Sequence, residues 1–248
     1  MNTYSIVFAL HAGIGALALG SFWTAGFSRK GSRAHVLAGK LYLLAMLVVL
    51  GSALPLAIRL ITLRVGDFAW FLLYLLILTA TGVWSSWRAI RDKRDYARFI
   101  GPVYRVFAVL NLAGAAAVLA LGAIKGHPIL IVFSTIGLVA GAQMLRKVRA
   151  GKPDSPRWWM REHMSAMIGN GIATHIAFLL IGLPKLLPLL AGPTMQNVAW
   201  FGPVAVAIAA RVVLGRKYLR LPASRKPTAP TVIATTSQQA QIQGGVAS

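Results

Sequence analysis

Long apolar runs alternate with short basic ones along the whole chain. Stretches free of Lys, Arg, Asp and Glu cover 1–28, 41–58, 68–87, 106–124, 126–145, 163–184 and 186–210. A helix rising 1.5 Å per residue needs about 20 apolar residues to cross roughly 30 Å of hydrocarbon. The pattern predicts seven spans, near 4–26, 41–62, 68–87, 103–124, 128–145, 164–183 and 197–215. The in-out alternation of a lipid-facing β-barrel is absent. Pro184, Pro188, Gly192 and Pro193 interrupt the last two spans, so 184–196 is expected to be a re-entrant turn or a plain loop. The expected fold is all-α, a seven-span transmembrane bundle over 1–221. Beyond it the composition turns to Pro, Ala, Thr, Ser and Gln, which predicts a disordered cytoplasmic tail over 222–248.

Composition supports the membrane reading. Of 248 residues, 57% are apolar and 12% charged, against about 25% charged in a soluble domain. The charge is one-sided, with 26 Lys and Arg against 5 Asp and Glu. Twenty-two of the basic residues fall in the first, third and fifth connections and the C-terminal segment, leaving Arg59, Arg64, Lys125 and Lys185 on the other side. Positive residues stay cytoplasmic, which predicts an N-out, C-in topology. An odd number of spans requires the same arrangement. Residues 1–10 hold no basic cluster, so the first span is expected to be an N-out helix rather than a cleaved signal. The basic residues form collars at helix ends, such as Arg88, Arg91, Lys93, Arg94 and Arg98, which suits anionic lipid headgroups and not nucleic acid. Membrane lipids are the expected partners.

Packing is expected along stripes of small residues, since lipid gives helices no hydrophobic reason to associate. Candidates are Ala12, Ala16 and Gly20; Gly137 and Gly141; and Ser165, Gly169, Ala173 and Ala177. The seven tryptophans lie near span ends, as an aromatic belt does.

Function has to come from the polar residues at depth. The absence of cysteine removes disulfides, thiolate metal sites and cysteine nucleophiles. No carboxylate lies well inside a span, which disfavours an ion-coupled carrier. No nucleophile–base pair or carboxylate pair appears, so an enzymatic role is unsupported, and no metal site is expected. The last span lacks the lysine of a microbial rhodopsin, and no H-x-x-x-H pair marks a seven-helix zinc hydrolase. What remains is His11, Asn111, Gln143, Asn170 and His175 at depth, with Arg59 and Arg211 nearer the ends. Counted at 1.5 Å per residue, His11 and His175 fall near one level, with His35 and His163 at the cytoplasmic surface. Such a pattern offers His11, His175, His35 and His163 as axial ligands of b-type haem. It equally fits histidines that hydrogen-bond to neighbouring carbonyls. A small-molecule permease would need a polar cavity around Asn111, Asn170 and His175.

Three segments carry a resemblance: RKGSRAHVLAGKLYLLAM over 29–46, WSSWRAIRDKR over 84–94 and MREHMSAMIGNGIATHIAFLL over 160–180. Together they resemble an uncharacterised family of bacterial multi-pass membrane proteins, a domain of unknown function. Its G-x-R-x-H-x-x-x-G-[KR]-x-Y pattern falls here on Gly31, Arg33, His35, Gly39, Lys40 and Tyr42. A second histidine opening a late helix matches His163. The resemblance implies a bacterial inner (cytoplasmic) membrane location and supplies no substrate. The leading expectation is a binding or accessory protein whose inner-face cluster, Arg33, His35, Lys40, Tyr42, Arg161 and His163, takes an anionic lipid or small ligand. No cofactor is required for that reading.

Overall fold

The computed structural model describes residues 3–64, 66–190 and 192–219; the tail expected over 222–248 lies outside them. Helix α1 spans Thr3–Phe27, α2 Arg33–Thr62, α3 Phe68–Arg91, α4 Tyr96–Phe99, α5 Pro102–Lys125, α6 Pro128–Ala150 and α7 Trp158–Ala177. A π-helical turn, Phe178–Gly182, carries α7 into α8, Leu183–Leu186; after a 3₁₀ turn at Pro188–Leu190, α9 runs Pro193–Tyr218. Seven of these stretches are long and apolar enough to cross a membrane. The chain is a helical bundle, and no strand occurs among the described residues.

Helix ends follow local chemistry. Ser32 Oγ accepts the His35 N–H at 3.2 Å and starts α2 well before the apolar run at 41. Its backbone then carries Arg33 and Lys40 inside the helix rather than in a loop. Pro102, Pro128 and Pro193 stand in first turns, where a missing N–H costs nothing. Gly126 and Gly151, at φ 67° and 64°, end α5 and α6 in the left-handed region that glycine enters without a Cβ clash. The breakers between 184 and 196 are absorbed the same way, with Pro184 in the first turn of α8. Short helical turns fill that connection.

Helix α3 is the hub, packing against α2, α5 and α7, while α1 pairs with α2, α6 with α5 and α9 with α7. One predicted stripe makes a close contact. A Cβ added at Gly137 would lie 2.9 Å from Ala115 Cβ, and one at Gly141 only 2.8 Å from the Ala108 carbonyl, so α5 and α6 meet backbone to backbone. The stripe on α1 is a correction: Ala12, Ala16 and Gly20 are exposed, and Ala18, Ser21 and Ala25 form the buried face. On α7 the contact is through Asn170, Gly171 and Ile176, with open space beside Gly169. Small residues permit contact but do not choose which side of the helix receives it.

Polar side chains lock the hub by entering the backbone ladders of neighbouring helices. Tyr74 Oη donates to Phe133 O at 3.0 Å and accepts from the Gly137 N–H at 2.9 Å. Those two groups are four residues apart and would otherwise bond to each other. Asn170 does the same to α3. With its amide oriented to match donors with acceptors, Nδ2 donates to Thr79 O at 3.2 Å and Oδ1 accepts the Val83 N–H at 3.0 Å. Gly82 makes room, since a Cβ there would stand within 2.3 Å of the Asn170 amide oxygen. On the other face of α3, Asn111 Nδ2 donates to Thr81 Oγ1 and to Phe107 O, both at 2.7 Å.

Candidate functional site

The basic collars gather at one end of the bundle. Arg157 donates to Tyr218 O at 3.2 Å, joining the start of α7 to the end of α9, and Lys93 lies 5.9 Å over the Trp159 ring. All five carboxylates are engaged. Asp92 pairs with Arg88 and stands 3.8 Å from Arg98. Glu162 takes Lys147 at 2.6 Å and Asp154 pairs with Arg161. Asp95 accepts the Arg98 N–H at 2.9 Å, and Asp67 lies 3.6 Å from His127.

Within that end, four cationic or cation-forming groups come together with no carboxylate paired to any of them. Lys30 follows α1 and folds back, its Nζ donating to Ala25 O at 3.0 Å and Gly26 O at 2.5 Å, the last carbonyls of that helix. Burial, with the charge of Lys217 added, holds Lys30 below the ordinary lysine value of 10.5. His35 and Lys30 both lie within electrostatic reach of His163. The group therefore draws on the α1–α2 turn, α2, α7 and α9.

The two histidines are fixed alike. His35 Nδ1 lies 2.9 Å from Ala25 O and His163 Nδ1 2.9 Å from Ser86 O. A carbonyl only accepts, so each Nδ1 carries the proton and each Nε2 is left without a hydrogen bond among the described residues. Neither Nε2 is sealed: both rings are half-buried, and neither nitrogen is a buried atom without a partner. Anchoring one ring nitrogen to a carbonyl fixes tautomer and orientation and presents the other to a ligand.

The remaining predicted residues part company with this pair. Arg33 and Lys40 line a shallow hollow of about 270 Å³ with Gly31, Val36 and Leu37, on an exposed face of α2. Tyr42 is fully buried against Phe22, with ring centroids 5.4 Å apart, and its hydroxyl lies 3.4 Å from Thr174 Oγ1. It is a core residue. Arg161 is occupied by Asp154.

His11 and His175 find partners other than each other. His175 Nε2 accepts from the Trp23 indole at 2.8 Å, and its Nδ1 donates to Gly171 O at 2.6 Å, so both nitrogens are taken. Ser52 Oγ gives its own proton to Val48 O and accepts from His11 Nδ1 at 2.9 Å. Trp23 stands twelve residues, about 18 Å, further along α1 than His11. The groups suggested for a permeation path are buried between helices, Asn111 and Asn170 being 0% and 2% exposed, with Asn111 Oδ1 left without a hydrogen bond among the described residues.

Lys217 was missed from the sequence, because nothing along the chain ties the end of α9 to the α1–α2 turn 187 positions earlier. The chain matches none of the family models, curated proteins or solved structures with which it was compared.

Proposed function

We propose that this multi-pass protein resides in the cytoplasmic membrane of a bacterium, N-out and C-in, and binds a phosphate-bearing ligand, an anionic lipid headgroup first of all, at its basic end. One observation carries the reading: Lys30 and His35 both bond the Ala25 carbonyl, His163 and Lys217 lie within electrostatic reach of Lys30, and every Asp and Glu is engaged elsewhere. An uncompensated cluster beside low-dielectric helices concentrates positive potential. The same field that opposes a bare metal cation favours a phosphate. An arriving anion keeps the lysines charged and draws a proton onto each free Nε2, turning it into a charge-assisted donor. The role is binding, with no bond made or broken.

The test is retention of lipid by the full chain purified in mild detergent from membranes holding both phosphatidylglycerol and phosphatidylethanolamine. Native mass spectrometry should find the anionic lipid enriched on the wild type and lost from His163→Ala and Lys30→Met. Equal retention of both lipids by all three proteins would overturn the reading.

A second reading draws on the same fixed tautomers. Imidazoles with Nδ1 anchored and Nε2 free are oriented as haem ligands are, so b-type haem would be held by His35 and His163 rather than by His175. A visible spectrum, oxidised and then dithionite-reduced, decides it. A colourless protein from haem-replete cells ends that reading.

A further inference from the structure

Donors and charges at the basic end narrow the kind of phosphate it would take. Lys30 Nζ and His35 Nδ1 meet at one oxygen, the Ala25 carbonyl, at 3.0 and 2.9 Å. An ammonium has three protons, and Lys30 commits two of them, to Ala25 O and Gly26 O. One is left for a ligand. His35 and His163 each keep an Nε2 that donates once protonated. Lys217, in the last turn of α9, is exposed, with its ammonium 5.5 Å over the Tyr218 ring. Among the described residues no carboxylate pairs with any of the four.

The two lysines alone bring two positive charges, so a single negative charge leaves one of them uncompensated. A phosphodiester offers one charge on two terminal oxygens. A phosphomonoester, with a second pKa near 6, approaches two charges on three terminal oxygens at neutral pH. The surroundings favour a lipid as its bearer. Phe27, the last residue of α1, is 83% exposed and stacks on Trp23 with centroids 5.2 Å apart, about one turn to the membrane side of Lys30. Val213 is exposed one turn before Lys217 on α9. Each lysine therefore stands at the end of an exposed apolar strip that suits an acyl chain and that a soluble phosphate ester would not use.

We propose that the basic end selects lipids whose headgroup is a terminal phosphomonoester, of the phosphatidic acid kind, over phosphodiester lipids. Lys30 and Lys217 neutralise the two charges, and His35 and His163 donate to the terminal oxygens from Nε2. The inference rests on the phosphate reading of this end and narrows it to one headgroup class.

The experiment uses the full chain in mild detergent, stripped of lipid, above the second phosphate pKa of about 6. Phosphatidic acid, phosphatidylglycerol and phosphatidylethanolamine of identical acyl chains are titrated in, and native mass spectrometry counts the bound lipid. Phosphatidic acid should bind roughly tenfold more tightly than phosphatidylglycerol, as one further charge-assisted hydrogen bond would give. Lys217→Met, a change at an exposed side chain, should level the two while both still exceed phosphatidylethanolamine. Lys152→Met, equally exposed but in the α6–α7 connection, should leave the preference whole. Glycerol 3-phosphate at equal concentration should not displace phosphatidic acid; displacement would overturn the lipid as bearer. Equal wild-type affinity for the two anionic lipids overturns the inference and leaves the anionic-lipid reading standing, whereas equal affinity for all three overturns both. A preference that falls as far in Lys152→Met as in Lys217→Met also overturns the inference, since the whole collar would then be reading charge.

Discussion

Around α3, Tyr74 and Asn170 place their polar atoms between a carbonyl and an N–H of the next helix. At the basic end His35 and His163 commit one nitrogen each to a carbonyl and keep the other open. The helices also differ in burial: 39% of the most apolar window of α3 is buried, against 11% in α1 and α9. In hydrocarbon an unsatisfied polar group is costly, so a side chain that fills another helix's ladder positions acts as glue. A side chain at a helix end can leave a nitrogen unspent because water and headgroups reach it. Depth and residue type alone do not say which polar groups of this bundle are committed to a neighbouring helix; the hydrogen bonds each one makes do.

The sharpest way to break that comparison is to crowd the core. Gly137→Val would drive carbon into Tyr74 and Ala115 and is expected to cost about 3 kcal/mol or prevent accumulation. Unfolding in detergent micelles measures it, and a cost near zero would mean that α5 and α6 are not locked as described. Next comes the pair at the basic end. His35→Ala with His163→Ala should cut anionic-lipid retention roughly tenfold while shifting stability by under about 1 kcal/mol. If instead the double variant unfolds readily and still retains the lipid, the basic end belongs with the core.

Tyr74→Phe should be milder than the crowding change, about 1 kcal/mol by the same unfolding measurement, because Phe133 O and Gly137 N–H can then bond to each other. The smallest effect is a pH dependence. Lys30 is held below 10.5 in the folded chain, by burial first and then by Lys217, so the unfolded chain binds that proton more tightly. Stability of the empty protein should therefore rise with pH between the depressed value and 10.5. Lys30→Met should flatten the rise, as should saturating phosphate, which favours the ammonium. A rise of equal slope in Lys30→Met would assign it to another group.

Much of this was legible in the chain. The apolar runs gave the spans because their length is set by hydrocarbon thickness, and Gly137 and Gly141 were recognisable as a contact. The stripe on α1 misled, since Ala12, Ala16 and Gly20 match the buried pattern in residue type and spacing and yet lie exposed. The depth of His175 was countable, but its partner was not. Trp23 lies 152 positions away, and its indole N–H is what uses up the nitrogen a haem would need.

The sequence by itself determined the class of object, the number of apolar helices and the uneven placement of charge, because those depend on composition along one dimension and on the thickness of a membrane. Only the tertiary structure decided which side of each helix is buried, that Tyr42 belongs to the core while Arg33 and Lys40 turn to the surface, and that Lys30 comes within reach of His35, His163 and Lys217. Helix rotation and crossing fix those facts, and both arise from contacts between residues far apart in the chain, where neither periodicity nor spacing carries information.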